Sequence, residues 1–215
     1  MSSQAIYDFD GTITTKDTTI LLLVSLLKMR PWRFFGLTWF LFRMLVASDN
    51  VSKQGYKNKA IGYLLKGLNS MRLNGALKDF RNKVKFHYRS SVLISIDKAI
   101  QDGCTVLIVT ASPSFAIREC FSDLPVIVIG TEFEKLENVY TGLLKSENCY
   151  GHEKVNRLNE WASFNKTVLN VQSAWGDHLS DFDMLSLSAN RYWVADKQLR
   201  KLVSQRDPEA NFMDT

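Results

Sequence analysis

The sequence predicts an α/β fold, with a doubly wound parallel sheet and a helical segment inserted after its first strand. Short apolar runs rich in β-branched residues recur between helix-like segments, which is the pattern of a parallel sheet covered on both faces. This alternation is interrupted between residues 18 and 89, where helices are predicted throughout. At 215 residues, the chain is long enough to bury a substantial core.

The first predicted strand, residues 5–7, opens onto two carboxylates, Asp8 and Asp10, followed by Gly11 and Thr12. Polar residues at the carboxyl end of such a strand lie in the ligand-binding crevice of an open α/β sheet. Two carboxylates at close range raise one pKa strongly, and a bound divalent cation would relieve that repulsion. The pair suits a nucleophile with a general acid or base, and a simple polar turn is the alternative.

The inserted segment, residues 18–89, is strongly basic. It contains fourteen lysines and arginines against two acids, a net charge of +12, which leaves −7 for the rest of a chain whose total is +5. A block of this kind indicates contact with phosphate groups, a lipid surface or nucleic acid, and a solvated basic surface is the alternative.

Two apolar runs begin the insertion. Residues 19–27 are predicted to form one helix, and Pro31 is predicted to open a second that is apolar almost all round and carries Trp32 and Trp39. Neither run reaches the roughly 20 residues needed to span a bilayer. The second helix is therefore expected either inside the protein or in a membrane interface. The cations expected to reach anionic headgroups are Lys28, Arg30, Arg33 and Arg43.

The remaining elements complete the predicted architecture. Further helices are predicted at residues 50–68, 73–88, 92–101, 113–121, 151–164 and 179–189. Further sheet strands are predicted at residues 105–109, 126–130, 168–175 and 191–194, with a hairpin within 132–144. We expect a catalytic core of residues 1–17 and 90–215, with residues 18–89 as a separate basic helical domain.

Polar side chains follow several of these strands and should meet at one edge of the sheet. They are Asp8, Asp10, Thr110, Ser112, Asp177 and Asp181, with Lys154 at the start of a predicted helix. This set is suited to phosphoryl transfer. It offers carboxylates to hold Mg²⁺, a carboxylate nucleophile and an acid, and it offers a cation and a hydroxyl to hold the phosphate.

In these motifs the chain resembles the haloacid dehalogenase superfamily of phosphatases. The run from Asp8 to Thr12 resembles the first motif of that family, Thr110 the second, Lys154 the third, and Gly176-Asp177 with Asp181 the fourth. The resemblance covers the whole chain. It implies a Rossmann-like core, and it implies that the helical insertion is a cap.

The same resemblance implies a role for each motif residue. Asp8 would attack phosphorus and form an aspartyl-phosphate, while Asp10 would protonate the leaving oxygen and later activate water. Thr110 and Lys154 would hold phosphate oxygens. The implied Mg²⁺ ligands are Asp8, the backbone carbonyl of Asp10, Asp177, and Asp181 through water, unless Asp181 instead orients Lys154.

The resemblance also bears on the substrate. In the phosphoserine phosphatase-like branch an acid just after the first motif, matched by Asp17, contacts the substrate amine, and Ala111 and Ser112 are further expected substrate contacts. Residues 110–113 and 149–154 resemble the phosphatidylglycerophosphatase C type, which implies a lipid-linked phosphate at a membrane surface. The alternatives are a phosphatase for phosphoserine or another small metabolite, a phosphomutase, and a non-enzymatic module for anionic surfaces or nucleic acid; nucleic acid is the less favoured partner.

Three scattered cysteines, Cys104, Cys120 and Cys149, match neither a disulfide framework nor a spaced zinc site, which favours a reducing cytosol. The first residues contain no basic segment followed by an apolar run, which argues against a cleaved signal peptide. We therefore expect a cytoplasmic protein, with peripheral attachment to the inner face of the membrane as a further expectation.

Overall fold

The computed structural model describes residues 3–213 and contains a six-stranded sheet and a separate two-stranded hairpin. The strands are β1 (Gln4–Tyr7), β2 (Thr105–Pro113), β3 (Val126–Thr131), β4 (Phe133–Leu136), β5 (Val139–Leu144), β6 (Val171–Gly176), β7 (Arg191–Val194) and β8 (Asn211–Met213). The sheet order is β3-β2-β1-β6-β7-β8, and all neighbouring strands run parallel. The strand order reverses beside β1, so the carboxyl end of β1 is the switch point of a doubly wound sheet. The predicted fold class is confirmed.

Helices lie on the sheet and between its first two strands. Those of the insertion are α1 (Thr19–Leu27), α2 (Phe34–Val46), α3 (Asn50–Leu65) and α4 (Ser70–Val84). The later helices are α5 (Ser90–Gln101), α6 (Ser114–Cys120), α7 (Glu153–Phe164), α8 (Phe182–Leu185) and α9 (Lys197–Arg206). Among residues 3–213, no helix combines the length and the apolar character needed to cross a bilayer.

Both faces of the sheet are buried. In β1, Tyr7 packs into one hydrophobic cluster and Ile6 into another, and in β2 Ile108 and Leu107 divide in the same way. Successive side chains of a strand point to opposite faces. Burial on both faces therefore explains why these strands are continuous apolar runs rather than alternating ones.

The hairpin of β4 and β5 is attached to the insertion. The backbone N–H of Gly67 donates to the carbonyl of Tyr140 at 2.8 Å, and the N–H of Tyr140 donates to the carbonyl of Leu68 at 2.9 Å. Gly62 and Gly142 let the two backbones approach closely, since a Cβ on Gly62 would lie 2.0 Å from the Gly142 carbonyl oxygen. The sequence predicts this hairpin but not its contact with α3.

Two parts of the predicted element list are wrong or incomplete. A single helix was expected over residues 179–189, whereas the chain forms a 3₁₀ turn, Leu179–Asp181, and then the one-turn helix α8. The side chain of His178 accepts from the N–H of Ser180, and Asp181 Oδ2 accepts from the N–H of His178, so side chains of the turn bond to its own backbone. The final α9 and β8 were not predicted, because α9 buries only Val203 and so shows little apolar periodicity.

Candidate active site

Asp8 lies directly after β1, at the switch point of the sheet. Its backbone N–H donates to the carbonyl of Trp175 at 2.9 Å, which continues the pairing with β6. The chain then turns sharply over Phe9–Ile13, where Gly11 has φ of +86°. This turn leaves the Asp8 carboxylate buried at the floor of a cleft of about 900 Å³.

Lys154, the second residue of α7, joins two carboxylates at that floor. Its Nζ donates to Asp8 Oδ1 at 2.5 Å and to Asp181 Oδ1 at 2.7 Å, and the residue is only 2% exposed. Burial alone would lower the pKa of Lys154, but the two carboxylates outweigh it and raise the pKa above the ordinary value. The lysine therefore stays protonated. Burial, opposed by Lys154, raises the pKa of Asp8 well above its usual range.

Three carboxylates form a compact acidic cluster. Oxygen atoms of Asp8, Asp177 and Asp181 all lie within 4.8 Å of one another. Burial and the neighbouring Asp181 raise the pKa of Asp177 to about 7, and Thr12 Oγ1 donates to its Oδ1 at 3.1 Å. Lys154 is the single cation bonded to this cluster among residues 3–213. Three carboxylates and one ammonium group leave the cluster with net negative charge when the carboxylates are ionised. Carboxylate oxygens at this spacing fit a hard divalent cation such as Mg²⁺.

The carboxyl group of Asp10 lies outside that cluster. Its Oδ1 accepts from the N–H of Thr18 at 2.7 Å and from the Thr18 hydroxyl at 2.8 Å, and its Oδ2 accepts from Ser112 Oγ. Burial, and then the charge of Asp17, raise the pKa of Asp10. Asp10 is therefore held between the start of the insertion and the end of β2. Its predicted role as a metal ligand concerns the backbone carbonyl and stays a prediction.

The end of β2 forms one wall of the cleft. Thr110 is buried, and its Oγ1 accepts from the N–H of Ser112 at 3.0 Å. The carbonyl of Ala111 accepts from Thr131 Oγ1 at 2.8 Å. These two hydrogen bonds hold the backbone of residues 110–112 in place. All three predicted residues of this segment line the cleft.

Asp17, the expected contact for a substrate amine, already has a partner. Lys57 on α3 donates to Asp17 Oδ2, and the N–H of Thr19 donates to Oδ1 at 2.8 Å. Burial would raise the pKa of Asp17, but the ammonium of Lys57 and these hydrogen bonds hold it below its usual value. The insertion thus supplies its own ammonium group at this position.

Sequence reasoning left three neighbours of the site unassigned. Thr12 was noted as a polar residue but not as the hydrogen-bond donor to Asp177. Arg89, whose Nε donates to the Gly11 carbonyl at 3.3 Å, was counted only with the basic insertion, and Lys57 was not identified as the partner of Asp17. Both cations line the cleft, but their spacing from the motifs carries no signal that would have identified them.

The chain is similar to a known protein family and to several known proteins. A family model described as haloacid dehalogenase-like hydrolase matches residues 5–186. Protein CicA of Caulobacter vibrioides (strain NA1000 / CB15N) is 26% identical over 187 residues, which are 85% of this chain and 81% of that protein.

Two solved structures share the fold. A protein of unknown function from Bordetella pertussis Tohama I has a TM-score of 0.78 at 16% identity, covering 100% of this chain and 99% of the other. A substrate-bound phosphoserine phosphatase complex has a TM-score of 0.62 at 15% identity, covering 99% of this chain and 93% of the other.

Proposed function

Because the chain belongs to the haloacid dehalogenase-like hydrolase family, we propose that it is a Mg²⁺-dependent phosphomonoester hydrolase that acts through an aspartyl-phosphate on Asp8. The observation that carries this proposal is the bridge from Lys154 Nζ to Asp8 and Asp181 beside Asp177. The Lys154 ammonium opposes the effect of burial on the Asp8 pKa and positions the carboxylate, which favours the ionised form that a nucleophile requires.

The reaction would proceed in two displacements. An oxygen of Asp8 attacks phosphorus as the bond from phosphorus to the leaving oxygen breaks, and Asp10 donates its proton to that oxygen. Asp10 then accepts a proton from the water that attacks the phosphoryl group, which releases phosphate and restores Asp8. The raised pKa of Asp10 supports the first step, since a larger fraction of the group carries a proton.

The phosphate would be held by Lys154 and the hydroxyl of Thr110, which both line the cleft. Asp8, Asp177 and the backbone carbonyl of Asp10 would bind Mg²⁺, and the bond from Lys154 to Asp181 Oδ1 favours an orienting role for Asp181. When bound, Mg²⁺ would neutralise negative charge on the phosphoryl oxygens.

Substitution of Asp8 tests this proposal. Asp8→Asn should lower turnover of an aryl phosphate with Mg²⁺ by about 10³-fold or more, because an amide cannot act as the nucleophile. Asp97→Asn is the matched control, since Asp97 is exposed on α5 and has no hydrogen-bond or ion-pair partner recorded in the described chain. Activity retained by the Asp8 variant would exclude the mechanism.

We propose further that the substrate is a lipid-linked phosphate reached at a membrane surface. The support is α2, in which Leu37 alone is fully buried. Phe35, Trp39, Phe42 and Val46 recur at spacings of three and four residues, so they form one face, and Phe35 is 82% and Trp39 60% exposed. An exposed aromatic face of this size is typical of helices that lie in a bilayer interface.

The cations expected to reach headgroups from this region are engaged within the insertion. Arg33 donates to the carbonyl of Tyr63, and Arg43 donates to the hydroxyl of Tyr56, so both guanidinium groups pack against α3. The expectation that they reach anionic headgroups stays a prediction. Apolar contact rather than these two charges would therefore carry the interaction.

Vesicle binding tests the lipid part of the proposal. Removing the three aromatic side chains with Phe35→Ser, Trp39→Ser and Phe42→Ser together should weaken sedimentation with anionic vesicles at least ten-fold, as expected for lost apolar burial. Phe164→Ser, which removes an equally exposed aromatic residue from α7, should leave binding unchanged. Binding that is absent in the parent protein, or equal in the triple variant, would contradict the membrane contact.

The small-metabolite alternative has less support. The carboxylate of Asp17, expected to bind the amine of phosphoserine, is paired with Lys57. A substrate amine would have to displace that ammonium group. Charge in the cleft therefore favours a substrate without an amine at this position.

A further inference from the structure

Three short segments meet where α3 ends and α4 begins. Arg30 Nη1 donates to the carbonyl of Lys66 at 2.6 Å, which joins the connection between α1 and α2 to the loop after α3. Lys135 Nζ on β4 donates to Ser70 Oγ at 2.8 Å, at the start of α4. Most residues of these segments are exposed. We call the surface that they form the basic tip, and it comprises residues 30–33, 66–72 and 135–139.

The basic tip carries a concentrated positive charge. It contains five lysines and arginines against one acid, Glu137. None of the five forms an ion pair with a carboxylate of residues 3–213. Where these cations donate hydrogen bonds, the acceptors are backbone carbonyls or a hydroxyl. The five cations are Arg30, Arg33, Lys66, Arg72 and Lys135.

The guanidinium groups of the tip lie close enough to repel one another. Burial, and then the charges of Arg33 and Arg72, lower the pKa of Arg30. Neighbouring like charges disfavour the charged form of a group, and an oxyanion placed among them would relieve the repulsion. The tip is therefore suited to bind negatively charged groups.

Exposed apolar side chains are interspersed with these cations. Trp32 is 71% exposed, Met71 79% and Leu136 64%, and each is next in sequence to a cation of the tip. A bilayer interface accepts both kinds of group, since apolar side chains enter the acyl boundary while lysines and arginines reach the headgroups. Nucleic acid would bind the cations but leave Met71 and Leu136 in water. Charge and apolar character together favour an anionic lipid surface.

The basic tip adjoins the start of α2. Helix α2 runs antiparallel to α3, since Arg33 bonds to Tyr63 at one end and Arg43 bonds to Tyr56 toward the other. The start of α2 therefore lies beside the tip, and its end leads to Asn50, which lines the cleft. A lipid surface that contacts the tip and α2 would extend toward the cleft.

We propose that the basic tip is a docking surface for the headgroups of an anionic lipid bilayer. The insertion and the β4–β5 hairpin contribute to it jointly, and it is separate from the aromatic face of α2. This inference rests on the proposed function, because the membrane contact of α2 continues into the tip. It gives that contact two properties that apolar burial alone does not give, a preference for anionic lipid and a sensitivity to salt.

Vesicle sedimentation tests the docking surface. The parent protein would be mixed with phosphatidylcholine vesicles and with vesicles in which about 30% of the lipid is phosphatidylglycerol, at low and at physiological salt. We expect at least ten-fold tighter binding to the anionic vesicles at low salt, and a smaller difference at physiological salt. Equal binding to the two kinds of vesicle, or binding to neither, would overturn the proposal.

A pair of substitutions locates the preference. Lys66→Gln with Arg72→Gln should weaken binding to the anionic vesicles at least ten-fold, since each cation near such a surface contributes to the attraction. Both side chains are exposed, and neither forms a hydrogen bond within residues 3–213, so the fold should be unaffected. Lys98→Gln with Lys201→Gln makes the same change in net charge at exposed positions of α5 and α9 and should retain the preference. A tip variant that binds like the parent, or a control variant that loses as much, would overturn the surface.

The result is separable from the proposed function. Neither Lys66 nor Arg72 lines the cleft, so the tip variant should turn over an aryl phosphate at the parent rate. If the parent hydrolyses no phosphomonoester, the proposed reaction is wrong, while sedimentation still decides whether the tip docks on lipid. The triple serine variant of α2 should weaken binding to both kinds of vesicle and keep the anionic preference, whereas the tip variant should lose that preference.

Nucleic acid is the competing partner for a basic surface. Fluorescence anisotropy with a short single-stranded RNA at physiological salt would be measured on the parent protein and on the tip variant. RNA binding that is weak, or equal in the two proteins, supports the lipid surface. Tight RNA binding that the tip substitutions abolish would overturn the assignment to lipid.

Discussion

Gly11 lies where the turn after β1 passes against the carboxylate of Asp177. Its φ of +86° is a conformation that side chains with a Cβ rarely adopt, and a Cβ there would lie 2.0 Å from Asp177 Oδ2. The glycine therefore serves two purposes, a backbone turn and a close approach. The sequence indicates only the turn, because the close approach depends on the position of Asp177 at the end of β6.

Substitution of Gly11 separates these two purposes. Gly11→Ala should lower kcat by about 10²-fold, because the new methyl group displaces a carboxylate of the site by an ångström or more. Gly103→Ala is the matched control, with φ of +76° and no atom within 4 Å of the added Cβ. It should lose about 1 kcal/mol of stability but keep its activity. Steady-state kinetics and urea unfolding of both variants measure the difference, and equal activity losses would contradict the steric argument.

Helices α1 and α4 are joined by a polar contact beside their apolar packing. Asp79 on α4 accepts from Ser25 Oγ at 2.8 Å, from Lys28 Nζ at 3.0 Å and from Lys83 Nζ at 2.6 Å. The hydrogen bonds from Lys83, Lys28 and Ser25 hold the pKa of Asp79 well below its usual range. One carboxylate thus compensates two of the many cations in the insertion.

Removing that charge should destabilise the protein in a pH-dependent way. Asp79→Asn should cost about 1 kcal/mol at pH 7, a value that allows for solvent screening of a partly exposed group. Because the folded pKa is depressed, the carboxylate contributes stability above its unfolded pKa of about 3.9, and that contribution is lost as pH falls toward the folded pKa.

Urea unfolding of the Asp79 variant and the parent at pH 7, 5 and 3.5 measures this contribution. The difference between the two proteins should be the same at pH 7 and 5 and smaller at pH 3.5. Asp97→Asn should show no difference at any of these pH values. A difference that grows on acidification would contradict the assignment.

At the level of the whole molecule, distant parts of the chain converge on one site. Asp8 follows β1, Asp177 and Asp181 follow β6, and Lys154 opens α7, so the acidic cluster exists only when the sheet has formed. Burial raises the pKa of Asp177 to about 7. The protein without metal is therefore destabilised by this group as pH rises from about 4 through 7, since a raised folded pKa favours the protonated form.

Thermal unfolding in the presence and absence of Mg²⁺ should reveal this arrangement. At 100 times its Kd, bound Mg²⁺ contributes about 2.7 kcal/mol, which corresponds to a rise in Tm of roughly 5–10 °C for a chain of this length. Asp177→Asn removes one of the proposed Mg²⁺ ligands and a buried group that ionises near pH 7. At pH 8 in chelator its Tm should exceed that of the parent, and Mg²⁺ should raise it much less.

Two controls complete the Mg²⁺ experiment. Asp97→Asn should show the same Mg²⁺-dependent rise as the parent protein, because it lies outside the cluster. A parent Tm that does not respond to Mg²⁺, or an Asp177 variant that responds fully, would exclude this cluster as the metal site.

Much of the architecture was predictable because it follows from local patterns. Apolar runs such as the one before Asp8 predict a parallel sheet, and the family match confirms the prediction of a hydrolase. The helix expected over residues 179–189 was wrong because the side chains of His178 and Asp181 bond to nearby groups rather than follow helical periodicity. The metal, the lipid contact and the division into domains stay predictions.

The motif residues themselves were named from sequence because strand ends and their polar residues are local features. Their charge states and hydrogen-bond partners were not predictable in this way. The raised pKa of Asp177, the Lys57 partner of Asp17 and the unpaired amide of Asn58 depend on burial and on side chains from other elements. Sequence therefore determined which groups are available for chemistry. Tertiary packing decided which groups are charged, paired or left without a hydrogen-bond partner, because desolvation and Coulomb energy depend on three-dimensional distance rather than on separation along the chain.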